Sequence, residues 1–204
     1  MQPPPLLVFA TRNPHKTAEV RAMLGPAFEV KNAADYPDFP HIDETGTTFL
    51  ENARLKALGI SRCIAGWVLS DDSGLEVDAL DGAPGVWSSS YGGIEGDHPR
   101  NNTRLLREMM GHADRRARFR CTMVLARDGH EQAHFSGTVE GRILESMEGH
   151  GGFGYDPLFA PDGHDASFAS LPPEVKNQLS HRARALQQVV AYLKNDREDA
   201  KHYD

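Results

Sequence analysis

Three short stretches of the chain hold residue types that could do chemistry together. The first is Thr11-Arg12-Asn13-Pro14-His15-Lys16, which brings three basic side chains to what reads as a helix start. A helix N-terminus already carries about half a positive charge, so a cation there costs roughly 0.3–1 kcal/mol and an acidic residue would cap it better. Cations beside free backbone N–H groups suit a bound anion; a solvated surface turn is the plainer alternative. The same charge pattern recurs at Ser180-His181-Arg182, with Lys176 just upstream. The chain has only six lysines, so Lys16 and Lys176 do not come from a lysine-rich surface. The third stretch is acidic: Glu44 closes an acidic loop, and Asp71-Asp72 precede Ser73-Gly74. Carboxylates at strand ends in α/β sheets commonly face the ligand crevice. Mg²⁺ takes one or two such carboxylates and completes its shell with water and phosphate. A turn in which the aspartates cap their own backbone would leave the same trace.

Other candidates are weaker by residue type. Ser73 lacks the G-x-S-x-G elbow of a nucleophile and has no histidine placed by sequence as its base. Asn52 and Lys56 are spaced i, i+4 and share a polar helix face. Phe153 and Tyr155, in a glycine-rich loop, could stack on a base or simply join a core. Two motif matches are rejected. His130-Glu131-Gln132-Ala133-His134 fits H-E-x-x-H, but it follows a glycine turn and leads into a strand pattern. Residues four apart on a strand are about 13 Å apart, too far for one zinc with bonds near 2 Å. Gly149–Gly154 fits G-x-G-x-x-G, but Tyr155-Asp156-Pro157 and a strand follow, where a dinucleotide site needs a helix.

The elements that must position these residues alternate early. Leu6–Ala10 reads as a buried strand. Asn13 and Pro14 then start a helix that runs to about Leu24. Phe28–Lys31 is a short strand, and residues 33–46 read as a loop. Thr48 and Glu51 fit a capping box for a helix with Phe49, Ala53, Ala57, Ile60 and Ile64 on one face, ended by Gly66. Trp67–Ser70 reads as a strand, residues 71–93 mostly as loop, and Arg100–Met110 as helix. Phe119–Arg127 and Gln132–Gly141 flank an Asp128-Gly129 hairpin turn. Ser180 caps a last helix with Leu186, Val189, Val190 and Leu193 at i, i+3, i+4, i+7. The expectation is an α/β sheet with an added β lobe.

Length and composition bound the rest. The 204 residues are 39% apolar, 25% charged and 8% aromatic, an ordinary globular composition that fits one domain spanning 1–204. No apolar stretch approaches the ~20 residues of a membrane span, and the N-terminus lacks the basic region of a signal peptide. Cys63 and Cys121 form no framework or zinc pair, so a cytoplasmic protein with reduced thiols is expected. The net charge of -7 argues against a nucleic-acid polymer as partner and leaves room for a small anion held by local cations.

Taken together, these segments resemble the inosine/xanthosine triphosphate pyrophosphatases, which act on non-standard purine nucleotides. The resemblance runs from Phe9 to about Leu186. It rests on Thr11–Lys16, Glu44-Thr45-Gly46-Thr47-Thr48-Phe49 with Glu51-Asn52-Ala53 and Lys56, and Asp71-Asp72-Ser73-Gly74-Leu75. Gly82-Ala83-Pro84-Gly85-Val86, Gly151–Pro157 and Lys176 with Ser180-His181-Arg182 complete it. It implies an elongated mixed β-sheet flanked by helices, in two lobes around a central cleft, usually as a homodimer. It also implies Mg²⁺-dependent hydrolysis of ITP, dITP and XTP to monophosphate and pyrophosphate, which cleanses the nucleotide pool. By the same resemblance, Thr11, Arg12, Asn13, Pro14, His15 and Lys16 hold the triphosphate, and Lys56 reaches phosphate. Glu44 and Asp72 hold Mg²⁺, Asp72 accepts the proton of the attacking water, and Ser73 touches substrate. Phe153, Gly154, Tyr155 and Asp156 form the nucleoside pocket, with Lys176, His181 and Arg182 around the base. Two departures stand out: Ser90 replaces a usual arginine, and Arg12 replaces a frequent glycine. Alternative readings are a pyrophosphatase for other damaged or pyrimidine triphosphates, and a nucleotide-binding regulator without turnover.

Overall fold

The structure, a computed structural model, describes residues 3–200. One six-stranded mixed sheet runs in the order β2-β1-β3-β4-β5-β6. Its strands are β1 (Leu6–Phe9), β2 (Glu29–Asn32), β3 (Trp67–Val77), β4 (Arg116–Arg127), β5 (His130–Ile143) and β6 (Phe159–Pro161). The helices are α1 (Pro14–Leu24), α2 (Phe49–Ser61), α3 (His98–Glu108), α4 (Pro173–Leu179) and α5 (His181–Ala200). β1 is parallel to β2 and to β3, whereas β3, β4, β5 and β6 are antiparallel in turn. No helix among the described residues is long and apolar enough to cross a membrane.

The sheet is elongated because β3, β4 and β5 outrun their neighbours. β5 has 14 residues, roughly 48 Å at about 3.4 Å each. One apolar cluster joins Leu7, Phe9 and Leu69 to Val20 of α1 and Leu186, Val189 and Leu193 of α5. A second, at the other end of the long strands, gathers Leu75, Val77, Leu105, Phe119, Val139, Phe159 and Phe168. The mixed sheet flanked by helices matches the expected fold class.

Several expected elements need correction. Residues 71–77 are strand, not loop: Asp71 pairs Met123, Asp72 pairs Thr122 and the ladder runs on to Val77↔Ala117. Asp, Ser and Gly disfavour strands locally, but an unbroken partner strand overrides that preference. α3 begins earlier than expected, at His98, because the Asp97 side chain accepts from the Arg100 amide at 3.1 Å. α2 ends at Ser61 rather than at Gly66, although Ile64 still packs on the cluster around Val8 and Ile60. The short helix α4 was not anticipated. The hairpin turn is as expected, with Asp128 and Gly129 both at positive φ (53° and 78°), the geometry of a type I′ turn. The H-E-x-x-H stretch lies along β5, where Glu131 takes Arg54 Nε at 2.5 Å and His134 Nδ1 at 2.9 Å.

Helix α5 lies directly on the sheet at Gly137. A Cβ there would overlap the His181 carbonyl oxygen and sit 2.6 Å from the Ala185 amide nitrogen, both of them backbone atoms. Gly137→Ala is therefore expected to lower stability by about 1–3 kcal/mol by pushing the start of α5 off the sheet. Urea unfolding of the variant measures this directly, and an unchanged midpoint would contradict it.

Candidate active site

The site follows from a mismatch in strand lengths. β1 pairs β3 only as far as Phe9↔Leu69, with one further bond from the Ala10 amide to Leu69 O at 2.7 Å. The chain then turns into α1 while β3 continues. From Leu75 onward the exposed edge of β3 is covered again: Leu75 N donates to Ser88 Oγ at 2.9 Å and Val77 N to Ala83 O at 3.1 Å. Between these two covers lies a cavity of about 590 Å³. It opens at the carboxyl end of a parallel strand, where α/β sheets commonly bind ligands.

Adjacent aspartates on β3 point to opposite faces of the sheet and therefore have different surroundings. Asp71, wholly buried, faces α1 and α5. It accepts from Lys16 Nζ at 2.9 Å and from Arg182 Nη2 at 2.9 Å. Burial alone would raise the Asp71 pKa, but the Lys16 and Arg182 cations outweigh it and hold the carboxyl well below its usual range. Arg182 is buried too. Its Nη1 donates to Glu19 Oε2 at 2.5 Å and its Nη2 to Ser73 Oγ at 3.0 Å. Lys176 Nζ bridges Glu19 Oε1 at 2.6 Å and Asp156 Oδ2 at 2.5 Å.

The basic side chains of the two helix starts, which could form an anion site or a solvated turn, already have partners within the protein. Lys16, Lys176 and Arg182 face the protein's own carboxylates, because a buried charge without a partner is too costly to keep, whereas the exposed Arg12 donates to the Phe39 carbonyl at 2.9 Å. The backbone donors are engaged as well. Asn13 Oδ1 accepts from the His15 amide at 2.9 Å and the Lys16 amide at 3.3 Å. Ser180 Oγ accepts from the Ala183 amide at 3.2 Å, as its capping role required.

Asp72 faces α2. Its Oδ2 accepts from Asn52 Nδ2 at 3.1 Å and its Oδ1 from the Ser73 amide at 3.0 Å. Asn52 also accepts the Gly46 amide at 2.7 Å, so one side chain ties the loop after Glu44 to Asp72. The i, i+4 partner Lys56 puts its Nζ 2.6 Å from Glu44 Oε2 and 4.0 Å from Asp72 Oδ1. Two carboxylates thus lie across a single ammonium. Burial raises the Asp72 pKa, with Lys56 opposing it. Two hard carboxylates at a cavity wall suit a divalent ion that is completed by water and phosphate oxygens.

The other end of the cavity is apolar and aromatic. Phe153 lies between Gly152 and Gly154, both at positive φ (70° and 63°). Its amide donates to Asp156 Oδ2 at 2.7 Å. Lys176 Nζ lies 4.9 Å from the Phe153 ring centroid. Tyr155 OH donates to Ser88 O at 2.9 Å and Asn102 Nδ2 to Gly154 O at 3.0 Å, which ties this loop to the opposite wall. His181 stacks on Phe119 with ring centroids 4.8 Å apart. Burial, then the nearby Arg182 and Lys176 charges, lower its pKa well below the ordinary value, so the ring is neutral. Its buried Nδ1 has no hydrogen-bond partner among the described residues.

The Ham1 family model matches residues 7–192, which includes every residue that lines this cavity. The chain belongs to the Ham1 family. It is 48% identical over 188 residues to a protein of Exiguobacterium sp. named dITP/XTP pyrophosphatase, covering 92% of this chain and 96% of that one. It is 47% identical to a protein of the same name from Halalkalibacterium halodurans, covering 91% and 97%. The solved structure of the Staphylococcus aureus Ham1 protein superposes with a TM-score of 0.83 at 37% identity, covering 94% of this chain and 99% of that one.

In this Ham1 chain the cavity wall includes Thr11, Arg12, Asn13, Lys16, Glu44, Lys56, Asp72, Ser73, Phe153, Gly154, Tyr155, Asp156, Lys176, His181 and Arg182. Pro14 and His15 are not part of the wall. Pro14 occupies the first turn of α1, and the His15 ring lies on Phe153. Ser90, one of the departures, lines the cavity together with His98 and Glu95. Sequence reasoning missed Glu19 and His98 as parts of the site, and it singled out Asp71 without its role as partner of Lys16 and Arg182. Glu19 is three residues after Lys16, on the same helix face, so a carboxylate in reach of that cluster was the available signal.

Proposed function

We propose that this Ham1 protein is a hydrolase of non-standard purine nucleoside triphosphates, cutting ITP, dITP and XTP between the α and β phosphates to give monophosphate and pyrophosphate. The observation that carries the reading is the cleft itself. Asp72, Glu44 and Lys56 converge at one end and the Phe153–Asp156 loop with His181 stands at the other. The names of the similar bacterial proteins support the same substrates.

The charge balance of the cleft supports a metal requirement. Five lysines and arginines line it (Arg12, Lys16, Lys56, Lys176, Arg182), and so do five carboxylates (Asp43, Glu44, Asp72, Glu95, Asp156). Asp71 and Glu19 lie behind these cations and add two more negative groups. Such a surface does not by itself attract a triphosphate. Glu44 and Asp72 would hold Mg²⁺, which supplies positive charge to the phosphates and polarises the bridging region. Asp72 keeps lone pairs toward the cavity and would accept the proton of the attacking water. Lys56 would turn from Glu44 toward phosphate, and Lys16 and Arg12 would neutralise the outer phosphates.

Base selectivity would come from donors. A guanidinium has five N–H groups. Arg182 directs four toward Asp71, Glu19 and Ser73, which leaves one Nη1–H for a ligand. A site built to donate there accepts the 6-oxo group of hypoxanthine or xanthine and leaves an unmet donor against the 6-amino group of adenine. The test is product analysis. With ITP and Mg²⁺, ion-exchange chromatography is expected to show IMP and pyrophosphate in equal amounts, and EDTA should abolish both. IDP and phosphate as products would contradict the proposed bond.

A further inference from the structure

We infer that His15 is a positioning residue of the nucleoside pocket, one that braces Phe153 from behind and does not contact phosphate. The inference rests on the reading above in which Phe153 stacks on the base. The His15 and Phe153 rings are stacked, with centroids 5.2 Å apart and planes 15° from parallel. Phe153 lines the cavity and His15 does not, so the imidazole covers the ring from outside.

Phe153 needs such a brace. Its two flanking residues are glycines in the left-handed region, Gly152 at φ 70° and Gly154 at φ 63°. Glycine restricts neither side of the loop. The backbone is pinned by Asp156 and Asn102, but the ring itself is only half buried and is oriented by what packs on it. The other groups near it are His98, with its centroid at 6.2 Å, Lys176 Nζ at 4.9 Å and the Arg182 guanidinium at 5.8 Å. Those three line the cavity, where a bound nucleotide would meet them. His15 alone of this group lies off the wall, fixed on the first turn of α1 by the Asn13 cap that accepts its amide at 2.9 Å. A base stacked on Phe153 would then rest on a platform two rings deep. The brace also joins the helix that carries Lys16 to the loop that meets the base.

The test is steady-state hydrolysis of ITP by wild type, His15→Ala, His15→Phe, Phe153→Ala and the double alanine variant, with inorganic tripolyphosphate as a base-free competitor. An aromatic pair contributes enough for about a two- to tenfold change in affinity. His15→Ala should raise KM for ITP by that factor with kcat nearly unchanged, His15→Phe should restore it, and inhibition by tripolyphosphate should stay the same. In the double variant the two KM effects should not multiply, because His15 acts through Phe153. If His15→Phe is as impaired as His15→Ala and tripolyphosphate inhibition weakens with it, His15 is a phosphate ligand and the inference is wrong. If Phe153→Ala raises KM and His15→Ala does not, the brace fails while the base platform stands. If Phe153→Ala leaves KM unchanged, the platform itself fails, and the brace with it.

Discussion

Asp72→Asn should reduce pyrophosphate release from ITP by about a thousandfold or more while the protein stays folded. A positioned general base is worth about 10²–10⁴ in rate, and this residue is also proposed to hold the metal. The fold has little to lose. The carboxamide keeps one oxygen to accept from Asn52 or from the Ser73 amide, the two bonds Asp72 accepts now. Lys56 keeps Glu44 at 2.6 Å, so no cation is stranded. The measurement pairs initial rates with a urea unfolding midpoint. A variant with near-normal turnover would remove Asp72 from the chemistry.

Asp71→Asn, one residue away, should do the opposite kind of damage. Asp71 is the carboxylate shared by Lys16 and Arg182, and Arg182 is only 1% exposed. Taking one partner from a buried charge network costs about 3–5 kcal/mol. In a chain of this size that lowers the melting temperature by roughly 10 °C. The pH dependence has a definite sign. The folded-state pKa of Asp71 lies below its unfolded value of about 4. Its contribution is therefore fully present above about pH 4 and is lost as pH falls further toward the depressed folded value. The stability gap between wild type and Asp71→Asn should be constant from pH 7 down to about 5 and should close in acid. Equal stability at pH 7 would show that the buried pairs carry no net weight.

The contrast between these two residues also shows what the sequence could and could not reveal. Asp71-Asp72-Ser73-Gly74 was recognisable as chemical from its composition, but its local propensities favour a turn. Only the full-length pairing with β4 makes it strand, and only the alternation of a strand sends one aspartate to the α1 and α5 side and the other to α2. The basic helix starts at Lys16 and Arg182, singled out by charge, both reach the cavity wall. Their immediate partners come from tertiary packing: Glu19 and Asp71 meet Arg182 across 163 and 111 residues of chain, and Asp71 meets Lys16 across 55. The Thr48–Glu51 capping box and the Asp128-Gly129 turn depend on neighbours within four residues, and there the reading and the structure agree. His15 stands among the phosphate ligands only through the family resemblance. Its ring stacks on that of Phe153, which lies far along the chain.

The central claim is that one cleft joins metal-assisted hydrolysis to recognition of a 6-oxo purine. Pyrophosphate release from ITP, dITP, XTP, ATP, GTP and dTTP, each with and without Mg²⁺, tests both halves at once. Fast release that requires Mg²⁺, from ITP, dITP and XTP and not from ATP or dTTP, is the predicted result; GTP, whose base also carries a 6-oxo group, reports on the 2-position that the Arg182 donor does not read. Equal release from all six would keep the Asp72 and Glu44 chemistry and contradict the purine pocket. Tight binding of ITP with no release would contradict the enzyme and leave a nucleotide sensor in its place.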